Sequence, residues 1–113
     1  MGNGAFEESK AFNLQDLLEY QTNAIVIKDI LVQNNCVIQA GVFDYGKVQS
    51  YGESPFSRFI YVLCGKAEIV INENSTFMQA GDSILVPANV RCSIEANHRF
   101  MMLSVAAGNG SNS

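Results

Sequence analysis

RFIYVLCGKAEIVINENSTFMQAGDSILVPANVRCSIE, residues 58–95, carries several short apolar runs separated by turn residues. Phe59 to Leu63 is a β-branched and aromatic run too short for an ordinary helix, and Gly65 ends it where the chain must turn. Lys66 to Asn72 then alternates: Ala67, Ile69 and Ile71 share one side, while Lys66, Glu68 and Asn72 share the other. One face of that strand is wet. Asn72-Glu73-Asn74 is a turn signal, Ser75 to Gln79 a short return strand and Ala80-Gly81-Asp82 a second turn. Ser83 to Val86 is a further strand, closed by the turn Pro87-Ala88-Asn89. Turns at intervals of roughly eight to twelve residues give the rhythm of a small all-β barrel or sandwich.

The flanking chain agrees. Asn23 to Val32 and Cys36 to Phe43 are apolar and β-branched runs joined by Asn34-Asn35, so they read as a hairpin. Before them, Phe12 to Tyr20 fits a short helix capped by Asn13, with Leu14, Leu17 and Leu18 on one face over an open end or an edge of the barrel. After Phe43, the segment Lys47 to Ser57 reads as a loop fixed by Gly52 and Pro55. Phe100 to Val105 is a continuous apolar strand, expected to be buried on both sides or in a dimer seam. The expected division is a flexible start over 1–10, a barrel over 11–107 and a disordered tail over 108–113.

Composition narrows the function classes. With 113 residues, 48% hydrophobic and only 16% charged, the chain can build one core and leaves a lightly charged surface, which favours a homodimer. Eleven acidic against seven basic residues, with no Lys/Arg cluster, argue against nucleic acid as a partner. No run is long and apolar enough to span a bilayer, and the first ten residues lack the blocks of a secretory signal; Phe6 stands where an acylation motif wants Ser or Thr. A cytoplasmic protein with no membrane partner is the expectation. Cys36, Cys64 and Cys92, odd in number and unevenly spaced, read as reduced thiols rather than a disulfide framework or zinc knuckle.

The stretch IYVLCGKAEIVI followed by AGDSILVPANVRCSI resembles the two motif regions of the cupin family, in particular its small single-domain members. The family's first motif is G-x5-H-x-H-x3,4-E-x6-G and its second is G-x5-P-x-G-x2-H-x3-N. Gly65 matches the closing glycine of the first, and Gly81 and Pro87 match the opening glycine and proline of the second. The resemblance runs from about Asp44 to Leu103 and implies an all-β, cupin-like jelly-roll barrel with the short helix at its N-terminal side. It also locates the family's metal ligands, and none is present. Counting from Gly65 puts Arg58 at the glutamate ligand, and Gly52 and Ser54, or Tyr51 and Glu53 with the longer spacer, at the paired histidines. Counting from Pro87 puts Asn89 at the second-motif glycine, Cys92 at its histidine and Ala96 at its asparagine.

A metal-free site is therefore expected, with no cofactor. Tyr51, Glu53, Arg58 and Cys92 are the candidate ligand-binding residues, and no catalytic residue can be named. Alternation turns Val90, Cys92 and Ile94 one way and Arg91, Ser93 and Glu95 the other, so Cys92 faces the interior. In the family register Arg58 meets it there. A guanidinium beside a thiol favours thiolate, so the pair is a candidate anion-binding or reactive-thiol pocket. Cys92 as a small buried hydrophobe is the plainer reading. The single histidine, His98, reads as a solvent-facing turn residue between Asn97 and Arg99 rather than a ligand or general base. The expected function is a small-molecule binding or sensing module. The alternatives are an isomerase- or dioxygenase-like enzyme, which the family's metal-bearing members imply, and a structural dimer without a ligand.

Overall fold

The computed structural model describes residues 6–108. The outer parts of the expected flexible start and tail, residues 1–5 and 109–113, lie outside the described residues. Nine strands follow in order: β1 (Ile25–Gln33), β2 (Cys36–Phe43), β3 (Val48–Tyr51), β4 (Ser57–Cys64), β5 (Lys66–Ile71), β6 (Asn74–Gln79), β7 (Ser83–Val86), β8 (Cys92–Ala96) and β9 (Phe100–Ala107). They form two antiparallel sheets, β1-β2-β9-β4-β7 and β3-β8-β5-β6. Their inner faces close on one core, which includes Phe43, Ile60, Val62, Ile69, Ile94, Phe100 and Met102. Phe43 and Phe100 meet edge-on with ring centroids 5.0 Å apart, the arrangement the ring quadrupoles favour.

Turn chemistry decides how the chain passes between the sheets. Asn72 (φ 49°) and Glu73 (φ 70°) both adopt the left-handed conformation, the geometry that joins β5 to β6 in a two-residue hairpin. Asn89 has φ 65°, so the residue at the second-motif glycine position is one that tolerates a left-handed backbone. Its N–H donates to the Ser54 carbonyl at 2.6 Å, tying the β7–β8 turn to the β3–β4 loop.

Two expectations need correction. The N-terminal helix is only a three-residue 3₁₀ turn, Gln15–Leu17; the Asn13 side chain accepts from the Asp16 N–H at 3.2 Å, but Leu18 is already extended. The turn still delivers Leu18, which is buried, and Leu14 onto Ala40, Val42 and Met101 on the outer face of the five-stranded sheet. Leu17 is half-buried, and its carbonyl accepts from Lys28. The second correction concerns the expected loop from Lys47 to Ser57. Its first part is strand β3, which pairs with β8 and sets Tyr51 opposite Cys92.

Candidate functional site

The parity of four strands assembles a cluster at one end of the barrel. Along β4, Arg58, Ile60 and Val62 point inward; along β9, Phe100, Met102, Ser104 and Ala106 do. β8 contributes Cys92 and Ile94, and β3 contributes Tyr51. Three of the four candidate residues come together there. The Arg58 guanidinium lies over the Tyr51 ring, 4.1 Å from its centroid, within the range of an attractive cation–π contact. One of its nitrogens donates to Ser104 Oγ at 2.9 Å. Cys92 sits beside both, close enough that the Arg58 charge acts on its thiol.

Electrostatics decides the state of these groups. Burial pushes the Cys92 thiol up from its ordinary value, and the Arg58 charge, which pulls it down, is the smaller effect. Desolvation outweighs the guanidinium, which favours the neutral thiol and the plainer reading of Cys92 as a small buried side chain. Burial also raises the Tyr51 phenol, again against Arg58. Any proton transfer at this end would fall to groups that hold their protons at neutral pH. Among the described residues, no carboxylate lies within ion-pair distance of Arg58; the ion pairs are Lys10–Glu7 and Arg99–Asp44.

Glu53 does not join the cluster. It is exposed, past the end of β3, on a groove of about 760 Å³ that runs between residues 50–53, 91–93 and 72–73. Tyr51 and Cys92 reach the wall of that groove but Arg58 does not, so it flanks the barrel end rather than leading to the guanidinium. His98 is exposed at the opposite end, on a second groove of about 700 Å³ with Tyr45, Lys66 and Arg99. The functional-looking residue that sequence reasoning missed is Ser104. It is 1% exposed and the one buried polar side chain of the barrel interior among the described residues. Its signal was a lone hydroxyl in the apolar run of β9.

A metal does not fit this donor set. Among the described residues no three His, Cys, Asp or Glu side chains converge. Where a carboxylate ligand would stand there is a guanidinium, which has no lone pair to donate and repels a cation.

Comparison with known proteins places the architecture. The cupin domain family matches residues 50–105. A conserved protein of unknown function from Streptococcus pyogenes superposes with a TM-score of 0.85 at 22% identity, over 92% of this chain and 91% of that one. A Cupin 2 conserved barrel domain protein from Leptotrichia buccalis gives 0.86 at 25% identity, over 89% of this chain and 49% of that one, so this chain spans about half its length. A cupin superfamily protein from Desulfitobacterium hafniense gives 0.85 at 21% identity, over 93% and 96%. No curated protein matches.

Proposed function

Because the chain belongs to the cupin superfamily yet carries a guanidinium in the ligand seat of its barrel, we propose that it is a metal-free module binding a small organic anion. The observation that carries this reading is the placement of Arg58: half-buried, stacked on Tyr51, bonded to Ser104, with no carboxylate in ion-pair reach among the described residues. A guanidinium has five N–H donors in a planar fork, and Ser104 occupies one. A carboxylate meets such a fork with two parallel hydrogen bonds, and a site of reduced dielectric strengthens them. Tyr51, Val86 and Ile71 belong to the apolar core beside Arg58. The reading includes a cytoplasmic setting, which the three free cysteines favour, and among the described residues no helix is long and apolar enough to cross a membrane.

The test is a thermal-shift and calorimetric screen of small carboxylic acids against their own amides at low ionic strength. An acid at about ten times its dissociation constant should stabilise the protein by about 1.4 kcal/mol, a rise of about 5 to 10 °C in Tm. The matched amide should leave Tm in place, and Arg58→Gln should abolish the shift. Equal responses to acid and amide, or binding that survives Arg58→Gln, would overturn the reading.

A further inference from the structure

The groove of about 700 Å³ at the other end of the barrel gathers Lys66, His98 and Arg99, in a chain whose eleven acidic residues outnumber its seven lysines and arginines. Turn geometry brings them together from distant positions. Gly65, at φ +88°, carries the chain from β4 into β5, so that Lys66 opens the new strand. The Lys66 carbonyl then accepts the N–H groups of Asn97 and His98 at 3.0 and 3.2 Å, which holds the β8–β9 turn, and with it His98 and Arg99, against the start of β5. Gln79 pairs with Lys66 across β5 and β6, so its side chain leaves the sheet on the same side and adds an uncharged amide donor. Among the described residues, no Asp or Glu lines this groove.

Arg99 is oriented from two sides. Its Nε donates to Asp44 Oδ1 at 3.2 Å, and its guanidinium carbon lies over the Tyr20 ring, 5.3 Å from the centroid. Asp44 is itself anchored by the backbone N–H groups of Asn23 and Tyr45. The contact with Asp44 uses Nε alone and leaves the two terminal nitrogens as donors on the opposite edge of a plane already set in place. Asp82, at the β6–β7 turn, is engaged with the Gln79 backbone N–H at 2.9 Å. Lys66 and His98 have no ion-pair partner among the described residues.

We propose that this groove binds a phosphate monoester, with the phosphoryl group on Arg99, Lys66 and His98 and the organic body against Tyr45. The donors select the head group. The terminal nitrogens of a guanidinium meet two phosphate oxygens side by side, and an ammonium supplies a point charge for the third. A dianion gains from both cations at once. The volume selects an ester over the bare ion, because about 700 Å³ lies within the roughly 300 to 1,000 Å³ of small-molecule sites. Tyr45 selects a flat body: it is 70% exposed on the groove wall, so its ring face is free to stack on a planar ring. One groove with three basic groups serves a single phosphoryl group and is not the extended stripe that follows a nucleic-acid backbone. The site is separate from the Arg58 seat, and neither reading depends on the other.

NMR of the untagged full chain at constant pH and low ionic strength tests this. His98 is the only histidine, so its imidazole signals need no assignment and report on this groove rather than on the Arg58 seat. The probes are inorganic phosphate, adenosine monophosphate and adenosine. The monophosphate should move the His98 signals with a dissociation constant on the order of 1 mM, at least about fivefold tighter than inorganic phosphate, and adenosine should leave them in place. Tyr45→Ala should bring the monophosphate to the level of inorganic phosphate. Lys66→Gln should weaken both at least about fivefold. Should Lys66→Gln fail to fold by circular dichroism, Arg99→Gln carries the same expectation. Arg91→Gln, which removes an exposed cation from the groove at the Cys92 end, should change nothing. His98 signals that stay in place with both phosphates would overturn the proposal. So would adenosine matching its monophosphate, inorganic phosphate binding as tightly as the ester, or Arg91→Gln costing as much affinity as Lys66→Gln.

Discussion

Gly65 joins β4 to β5, where the chain crosses from one sheet to the other, and replacing it with alanine tests how tightly that crossing is fixed. Its φ is +88°, which charges an L-residue about 1 to 2 kcal/mol. The added Cβ would lie 2.0 Å from the Arg99 carbonyl oxygen and 2.8 Å from the Phe100 Cα, so one backbone must move by more than 1 Å. Neither has room. Asn97 and His98 both donate their N–H groups to the Lys66 carbonyl, at 3.0 and 3.2 Å, which pins the β8–β9 turn to the residue after the glycine. Phe100 is 1% exposed and packed edge-on to Phe43. Displacing it sacrifices core contacts worth a further ~2 to 3 kcal/mol. The sum, about 4 kcal/mol, is a large part of the 5 to 15 kcal/mol by which such domains are stable, and Tm should fall by about 15 to 30 °C. Gly81→Ala is the control. Its φ is +93°, but nothing lies within 4 Å of the added Cβ, so the backbone penalty alone of about 1 to 2 kcal/mol should appear. Urea melts of both variants at one temperature decide the matter. If Gly65→Ala falls within about 1 kcal/mol of Gly81→Ala, the crossing is not sterically locked and the reasoning fails.

Three further outcomes follow from the titrating groups. In timed alkylation at neutral pH read by mass spectrometry, Cys92 should be modified after Cys36 and Cys64, because burial holds its thiol protonated; labelling of Cys92 first would show that Arg58 prevails over burial. Burial raises both the Tyr20 and Tyr51 phenols, and the Tyr20 contact with Cys64 at 3.3 Å adds to the effect. The native state therefore keeps protons that the unfolded chain releases above about pH 10, so stability is full below that pH and falls above it; Tyr20→Phe and Tyr51→Phe should flatten the alkaline limb of a urea-stability profile. Asp44 behaves oppositely. The backbone N–H groups of Asn23 and Tyr45, and then Arg99, hold its carboxyl below the usual range, so its contribution is present above about pH 4 and lost as pH falls; Asp44→Asn should shrink the acid-side loss of Tm between pH 5 and 2.

Much of this architecture was legible because side-chain period and turn chemistry speak together. β5 alternates cleanly and ends in Asn72-Glu73, whose left-handed backbone closes the hairpin, so its inward face could be read directly. Alternation in β8 turned Cys92 inward, and the family's motif spacing counted from Gly65 put Arg58 beside it. β3 was illegible because it has only four residues, two of them polar, and pairs on one side only as an edge strand. The helix expectation failed for a local reason: the leucine spacing suits one turn as well as several, and Leu18 leaves for the core after the first. Glu53 shares parity with Tyr51 but not its destination. The strand ends at Tyr51 and the chain turns out at Gly52, so two residues of spacing cease to mean a common face. Ser104 was hidden because its partner Arg58 lies 46 residues away, and no local pattern encodes such a contact.

The changes in the ligand seat are electrostatically coupled. A site built from histidines and a glutamate presents lone pairs and negative charge to a cation, whereas Arg58, Tyr51, Ser104 and Cys92 present a fixed positive charge among neutral groups. A dication about 5 Å from the guanidinium would be repelled by about 6 to 7 kcal/mol at an effective dielectric of about 20, roughly five powers of ten in affinity. Restoring histidines at positions 52, 54 and 92 would therefore leave metal affinity far short while Arg58 remains. Conversely, once position 58 carries a cation, histidine donors in the seat gain nothing from a metal, and a neutral thiol that fills space is sufficient. On the proposed reading the exchange inverts the sign of what the barrel attracts: a seat built to hold a cation on its carboxylate would here hold a carboxylate on its cation.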